Sequence, residues 1–152
     1  FAMVDLAVAE VLEAKPHPDA DKLLVLQIDT GIDKRQICAG LAEHYKPEDL
    51  EGKRIIVIRN LKPAKLRGEM SAGMLLAGGN KKSVKVLEAP ESNPGDLVYV
   101  DGIEPQPEKE ISIDDFAKLL INVENKRAYY KGESLKTAKE DISVDLEKGK
   151  VS

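Results

Sequence analysis

The chain has no tryptophan, only two phenylalanines, two histidines and one cysteine in 152 residues. Each shortage closes off a class of function. A single cysteine, Cys38, forms no intrachain disulfide, so nothing points to an oxidising compartment and the expected location is the cytoplasm. Two histidines and one cysteine do not make the clustered ligand spacings of a zinc site, and His17 and His44 lack the helical pairing of metalloproteases. No metal and no cofactor are expected. The longest apolar runs, such as Ile55 to Ile58 and Met74 to Ala77, are four residues, against the roughly 18 that a membrane span requires. There is no Gly-rich phosphate loop ending in Lys-Ser/Thr and no nucleophile elbow around Ser71 or Ser83, so the chain reads as non-catalytic by itself. Its first residues, Phe1-Ala2-Met3, carry no secretory pattern and read as the start of an excised fragment.

What the chain does have is an uneven charge. The net charge is -4, yet residues 1–51 hold five Lys/Arg against eleven Asp/Glu, residues 52–87 nine against one, and residues 88–152 nine against fifteen. The acidic total therefore conceals a central basic block, densest from Lys53 through Arg54, Arg59, Lys62 and Lys65 to Arg67, with Lys81, Lys82 and Lys85 behind it. Such a block points to an anionic partner.

Short β-type runs bounded by turn residues fill the first hundred positions: Val4 to Lys15, Leu23 to Asp29, Lys34 to Ala39, Lys53 to Asn60 and Met74 to Ala77. Leu24, Leu26 and Ile28 alternate with Val25, Gln27 and Asp29, the period of a half-buried strand. The first run alternates at Val4, Leu6 and Val8 and then shifts phase to Val11, which predicts a bulge or bend of the sort that turns a barrel corner. Tyr45-Lys46-Pro47-Glu48-Asp49-Leu50 predicts a short helix, with proline at its start and acids in the first turn. Three strands, a helix and two strands suit a five-stranded oligonucleotide/oligosaccharide-binding barrel, although a sandwich has similar spacing. Two prolines between Glu104 and Glu108 mark a boundary, which divides the chain into a barrel over 4–108 and an extension over 109–152. In the extension Ser112 and Asp115 form a capping-box pattern, and Phe116, Leu119, Leu120 and Val123 predict a helix of about ten residues. Ala128 to Lys131 and Ile142 to Leu146 are short candidate strands.

Cys38, flanked by Ile37 and Ala39, reads as a buried inert thiol. His17, between Pro16 and Pro18, either fixes its turn or donates a hydrogen bond to a partner. The segment Asn60 to Met74 does not reduce to a solvated loop, because a full barrel frame precedes its cations. Here the sequence resembles the tRNA-binding domain of methionyl-tRNA synthetase C-terminal extensions and of endothelial monocyte-activating polypeptide II. The likeness rests on His17-Pro18-Asp19-Ala20-Asp21-Lys22-Leu23, on Gly40-Leu41 with Tyr45 to Leu50, and on Asn60 to Gly68 with Ser71 to Met74. It covers residues 4–100 strongly and extends more weakly to about Lys139, including Tyr130-Lys131-Gly132. The chain departs from the family where a basic residue, a glycine and a second basic residue are usual, with Ala7, Ala9 and Glu10, and again at Ala39 and Ala72.

The resemblance implies a mainly β fold, a five-stranded barrel with a C-terminal α/β extension packed on it. It also implies a nonspecific tRNA-binding accessory domain of an aminoacyl-tRNA synthetase, with a fused or associated synthetase catalytic domain as partner. The residues assigned to tRNA are Arg59, Asn60, Lys62, Lys65, Arg67, Ser71 and Met74. The expected assembly is a monomer whose extension covers the surface through which bacterial relatives dimerise. The alternative is a protein-interaction role, cytokine-like or synthetase-scaffolding. Tyr45 is the only aromatic between Ala2 and Leu97, so base stacking is minor and recognition by shape and backbone is expected.

Overall fold

The computed structural model describes residues 1–80 and 82–152. It is mainly β, with a closed six-stranded antiparallel barrel and two short helices among the described residues. β1 (Leu6–Pro16), β2 (Leu24–Asp29) and β3 (Lys34–Ala39) form an antiparallel meander. The helix α1 (Pro47–Leu50) begins on its proline, with Glu48 and Asp49 in the first turn, and buries Leu50. It leads into β4 (Arg54–Ile58), which pairs along the other edge of β1. After the hairpin of β5 (Ala64–Leu66) and β6 (Glu69–Ser71) come β7 (Met74–Leu75), paired with β4, and β8 (Ala77–Gly79). β9 (Val84–Glu88) pairs with β8 and touches β4 at Ile55.

The barrel has one strand more than the five expected, and β9 is the strand that the sequence pattern hides. Lysine at its second position and a polar approach obscure its alternation, yet Val86 and Leu87 are fully buried. The bulge in β1 is real but falls at Leu12. Val11 pairs with Ile28 and Glu13 with Gln27, leaving Leu12 as the extra residue.

The phase change from Val8 to Val11 has a different origin, because the chain has two cores. Ala9, Val11, Leu24, Leu26, Ile28, Ile55, Val57 and Val86 fill the barrel interior. Val4, Leu6, Val8, Ile56, Ile58 and Leu87 point the other way, into a second core completed by the C-terminal residues. The run Ile55-Ile56-Val57-Ile58 lacks alternation because both faces of β4 are buried.

Beyond Glu104 the chain is less helical than expected. α2 (Ile113–Ala117) has the capping box, Ser112 Oγ accepting from the Asp115 amide and the Asp115 carboxylate from the Ser112 amide, both at 3.1 Å. It stops after five residues. Leu120 is 79% exposed and the chain turns into β10 (Ile121–Glu124), where Ile121 and Val123 are buried by strand alternation. Pairing with β11 (Arg127–Tyr130) outweighs the helical spacing of Phe116, Leu119, Leu120 and Val123. β12 (Glu133–Ser134), β13 (Ser143–Val144) and β14 (Lys148–Val151) follow. β13 adds to β9 and β14 to β8, so the tail extends the barrel sheet. A side chain at Gly149 would meet the Gly79 carbonyl at 2.5 Å, which explains glycine at this approach. Among the described residues no helix is long and apolar enough to cross a membrane.

Candidate nucleic-acid interface

β5 and β6 are joined by Arg67-Gly68 alone, with φ of +52° and +92°. Positive φ at both turn positions is the I′ geometry that matches the twist of a tight hairpin. Lys62, Lys65 and Arg67 are all exposed, and among the described residues none of them forms an ion pair. Alternation separates the two faces of the hairpin. Ala64, Leu66 and Ser71 line a cavity of about 420 Å³ beneath it, together with Lys62, Met74 and Leu75. Lys65 pairs with Met70 on the opposite, outward face. The three cations thus sit at the cavity mouth, on the outer face and at the tip.

The other residues assigned to tRNA by resemblance are engaged inside the chain. The Arg59 guanidinium donates to both oxygens of Asp5, at 2.9 and 3.1 Å, and to the Thr30 carbonyl, and its side chain is 9% exposed. Asn60 is a clip: its Oδ1 accepts from the Asp5 amide, and its Nδ2 donates to the carbonyls of Met3 and Glu108. Ser71 is buried; its hydroxyl accepts from the Cys38 amide and donates to the Gly73 carbonyl, each at 3.0 Å, closing the barrel against β3. Met74 is half-buried in β7 and packs on the second core. Among the described residues, Lys62, Lys65 and Arg67 are the cations of this set whose side chains have no hydrogen-bond or ion-pair partner.

The rest of the basic block divides similarly. Lys53 pairs with Glu88 at 3.0 Å, and Arg54 faces Glu10 at 3.5 Å and donates to the Ser92 carbonyl. Glu10, one of the departures from the family pattern, thus neutralises a neighbour. Lys85 lies over the Tyr45 ring at 6.0 Å from its centroid, Lys82 is exposed, and Lys81 lies outside the described residues.

Two anchoring residues escape a reading of the sequence. Arg35 donates from Nη1 to the carbonyls of Arg59 and Ala72, and it clamps Asp33 with Nε and Nη2, which holds the Asp33 carboxyl below the usual carboxylate range. Gln36 donates to the Met70 carbonyl and to Glu69. Both bind parts of the chain more than twenty residues away, which no local pattern announces. Cys38 is buried, and burial together with the Glu69 charge pushes its thiol up, as an inert thiol requires. No cluster of metal-ligating side chains occurs among the described residues.

Residues 6–96 match the family model described as "Putative tRNA binding domain". The chain belongs to that family. It is 52% identical over 94 residues to the methionine–tRNA ligase of Bacillus subtilis, an alignment covering 62% of this chain and 14% of the ligase. With the Thermotoga maritima ligase it shares 56% over 87 residues, 57% of this chain and 14% of the relative. The chain therefore spans about a seventh of the length of these relatives. Among solved structures, the C-terminal domain of Plasmodium vivax p43 superposes with a TM-score of 0.92 at 33% identity, covering 99% of this chain and 98% of that one. The chaperone CsaA of Bacillus anthracis gives 0.55 at 30% identity, covering 62% of this chain and 89% of its own.

Proposed function

We propose that this domain binds tRNA irrespective of its amino-acid identity, recognising the elbow by shape and by backbone phosphates. In this reading it serves as an accessory module of an aminoacyl-tRNA synthetase, methionyl above all, and raises the local tRNA concentration at a catalytic domain. One observation carries the reading: Lys65 and Arg67 on a hairpin with a preorganised two-residue turn, and Lys62 just before it, have no ion-pair partner among the described residues and lie inside the span shared with the tRNA-binding family. Cations displayed this way neutralise phosphates and release counterions without reading bases. The hairpin turn is already set, so little ordering entropy is lost on binding.

We read residues 4–108 as the oligonucleotide-binding barrel and 109–152 as an extension packed on it. The pairing of β13 with β9 and of β14 with β8 supports this, as does the difference between a match covering 99% of the chain and one covering 62%. The extension then covers the surface through which free-standing bacterial relatives pair, and the domain is a monomer in the cytoplasm. The cytokine-like or scaffolding alternative finds no support in β1, where Ala7 and Ala9 are buried and Glu10 faces Arg54.

Fluorescence anisotropy with several tRNAs of different identity and an unstructured RNA of equal length tests the reading. Similar affinities for all tRNAs and weaker binding of the unstructured strand are expected. Equal binding of the unstructured strand, or strong preference for one tRNA, overturns it.

A further inference from the structure

We propose that His17 is a positioning residue for tRNA binding: through a hydrogen bond to the Leu66 carbonyl, its imidazole holds the β5 strand of the cationic hairpin in place. This rests on the hairpin being the tRNA site, and it adds a determinant that lies outside the hairpin and touches no RNA.

The geometry fixes the state of the ring. The Asp19 amide donates to Nδ1 at 2.9 Å, so Nδ1 carries no proton, and the proton on Nε2 is then directed at the Leu66 carbonyl 2.8 Å away. The ring is 5% exposed and is not available to a ligand. Pro16 and Pro18 on either side restrict the backbone that carries it, so the ring is aimed at small entropic cost.

The need for such a bond follows from how unequally the two hairpin strands are held. β6 is tied to β3 by Gln36 donating to the Met70 carbonyl, by Ser71 Oγ at the Cys38 amide, and by the Ala72 amide donating to the Gln36 carbonyl. β5 has its pairing with β6 and, among the described residues, one hydrogen bond from elsewhere, the one from His17. Packing does not substitute for it, because the cavity lies under Ala64 and Leu66. A two-stranded hairpin by itself is marginal in water. Leu66 is flanked by Lys65 and Arg67, so the carbonyl that His17 holds lies between two of the three free cations.

The test separates the two ring nitrogens in the full chain. His17→Asn keeps an acceptor near the Asp19 amide but does not reach Leu66, whereas His17→Gln places an amide donor near the position of Nε2. Amide hydrogen exchange over residues 61–73 is measured without RNA, and tRNA affinity by anisotropy. The expected result for His17→Asn is faster exchange across the hairpin and binding weakened about fivefold, the hairpin being competent a smaller fraction of the time. His17→Gln is expected to restore most of both. Unchanged hairpin exchange in His17→Asn, or no recovery in His17→Gln relative to His17→Asn, overturns the proposal. Nitrogen NMR of the parent needs no variant, and a proton on Nδ1 instead of Nε2 also overturns it. A Lys62→Ala/Lys65→Ala/Arg67→Ala variant separates the two levels: if it binds tRNA like the parent, the hairpin is not the tRNA site and His17 does not position that site, whatever the exchange shows.

Discussion

Counting charges in the sequence treats Arg59 and Lys62 alike; the structure does not, and salt dependence measures the difference. Replacing Lys62, Lys65 and Arg67 together by Ala removes the three exposed cations of the hairpin that have no partner among the described residues. If each neutralises about one phosphate, the parent shows a slope of log K against log[salt] of about -2.7, and the triple variant loses about 2 or more of it. The parent's affinity then falls about 40-fold between 50 and 200 mM salt, while the variant's weak residual binding is nearly flat. The melting temperature stays within about 1 °C, since exposed unpaired charges contribute little to folding. Arg59→Ala is the matched control. It strands Asp5, whose side chain is 18% exposed, beside the vacated guanidinium site. Losing one partner of so enclosed a pair costs about 3 kcal/mol, which in a domain of this size lowers the melting temperature by roughly 6 to 12 °C. Its salt slope remains that of the parent. Anisotropy titrations at four salt concentrations and a thermal melt give all these quantities. A triple variant with the parental slope, or an Arg59→Ala protein with the parental melting temperature and a reduced slope, refutes this division of the basic block.

Gly31→Ala should lower stability by about 3 kcal/mol or more in urea unfolding, because φ is +89° and the new Cβ would stand 2.3 Å from the Gly95 Cα; a parental midpoint would contradict that close approach. Asp33 is held below its unfolded pKa by Arg35, so its contribution is present above about pH 4 and disappears as the pH falls through the native value. The urea midpoint of Asp33→Asn should therefore drop less than that of the parent between pH 5 and pH 3. A form ending at Pro107 uncovers the faces of Ile56, Ile58 and Leu87 that the tail buries; it is expected to melt lower and to self-associate in sedimentation velocity, with an equally stable monomer as the refuting result.

The elements most legible in the sequence were those set by neighbours along the chain. Pro47 with two following acids marks α1, Leu24, Leu26 and Ile28 mark one face of β2, and Ser112 with Asp115 marks the cap of α2. Helix length after that cap was not legible, because Val123 fits the helical spacing from Phe116, Leu119 and Leu120 as well as a period of two with Ile121, and pairing with β11 decides between them. At the site, the three hairpin cations could be picked out by type and spacing. The engagement of Arg59 with Asp5 could not, since the partners are 54 positions apart. Asn60 and Ser71 are read as ligand-facing from the motif, yet the Asn60 side chain ties Met3 and Asp5 to Glu108, and the Ser71 hydroxyl ties β3 to the end of the hairpin. A motif records which residues occur together, without separating those that hold the loop from those the loop presents.

β4 is a wall with a filled room on each side. Ile55 and Val57 belong to one interior, Ile56 and Ile58 to the other, and successive residues report to different halves of the molecule. Trimming one methyl group at Ile55 or at Ile56 therefore opens a gap in a different compartment, but either gap is felt across a single layer of backbone. The tail cannot peel away while the wall stays dry on its outer side. Heat should take both interiors together, in one calorimetric transition, and a barrel transplanted into another protein without its tail would arrive with a water-averse back that its new host must cover.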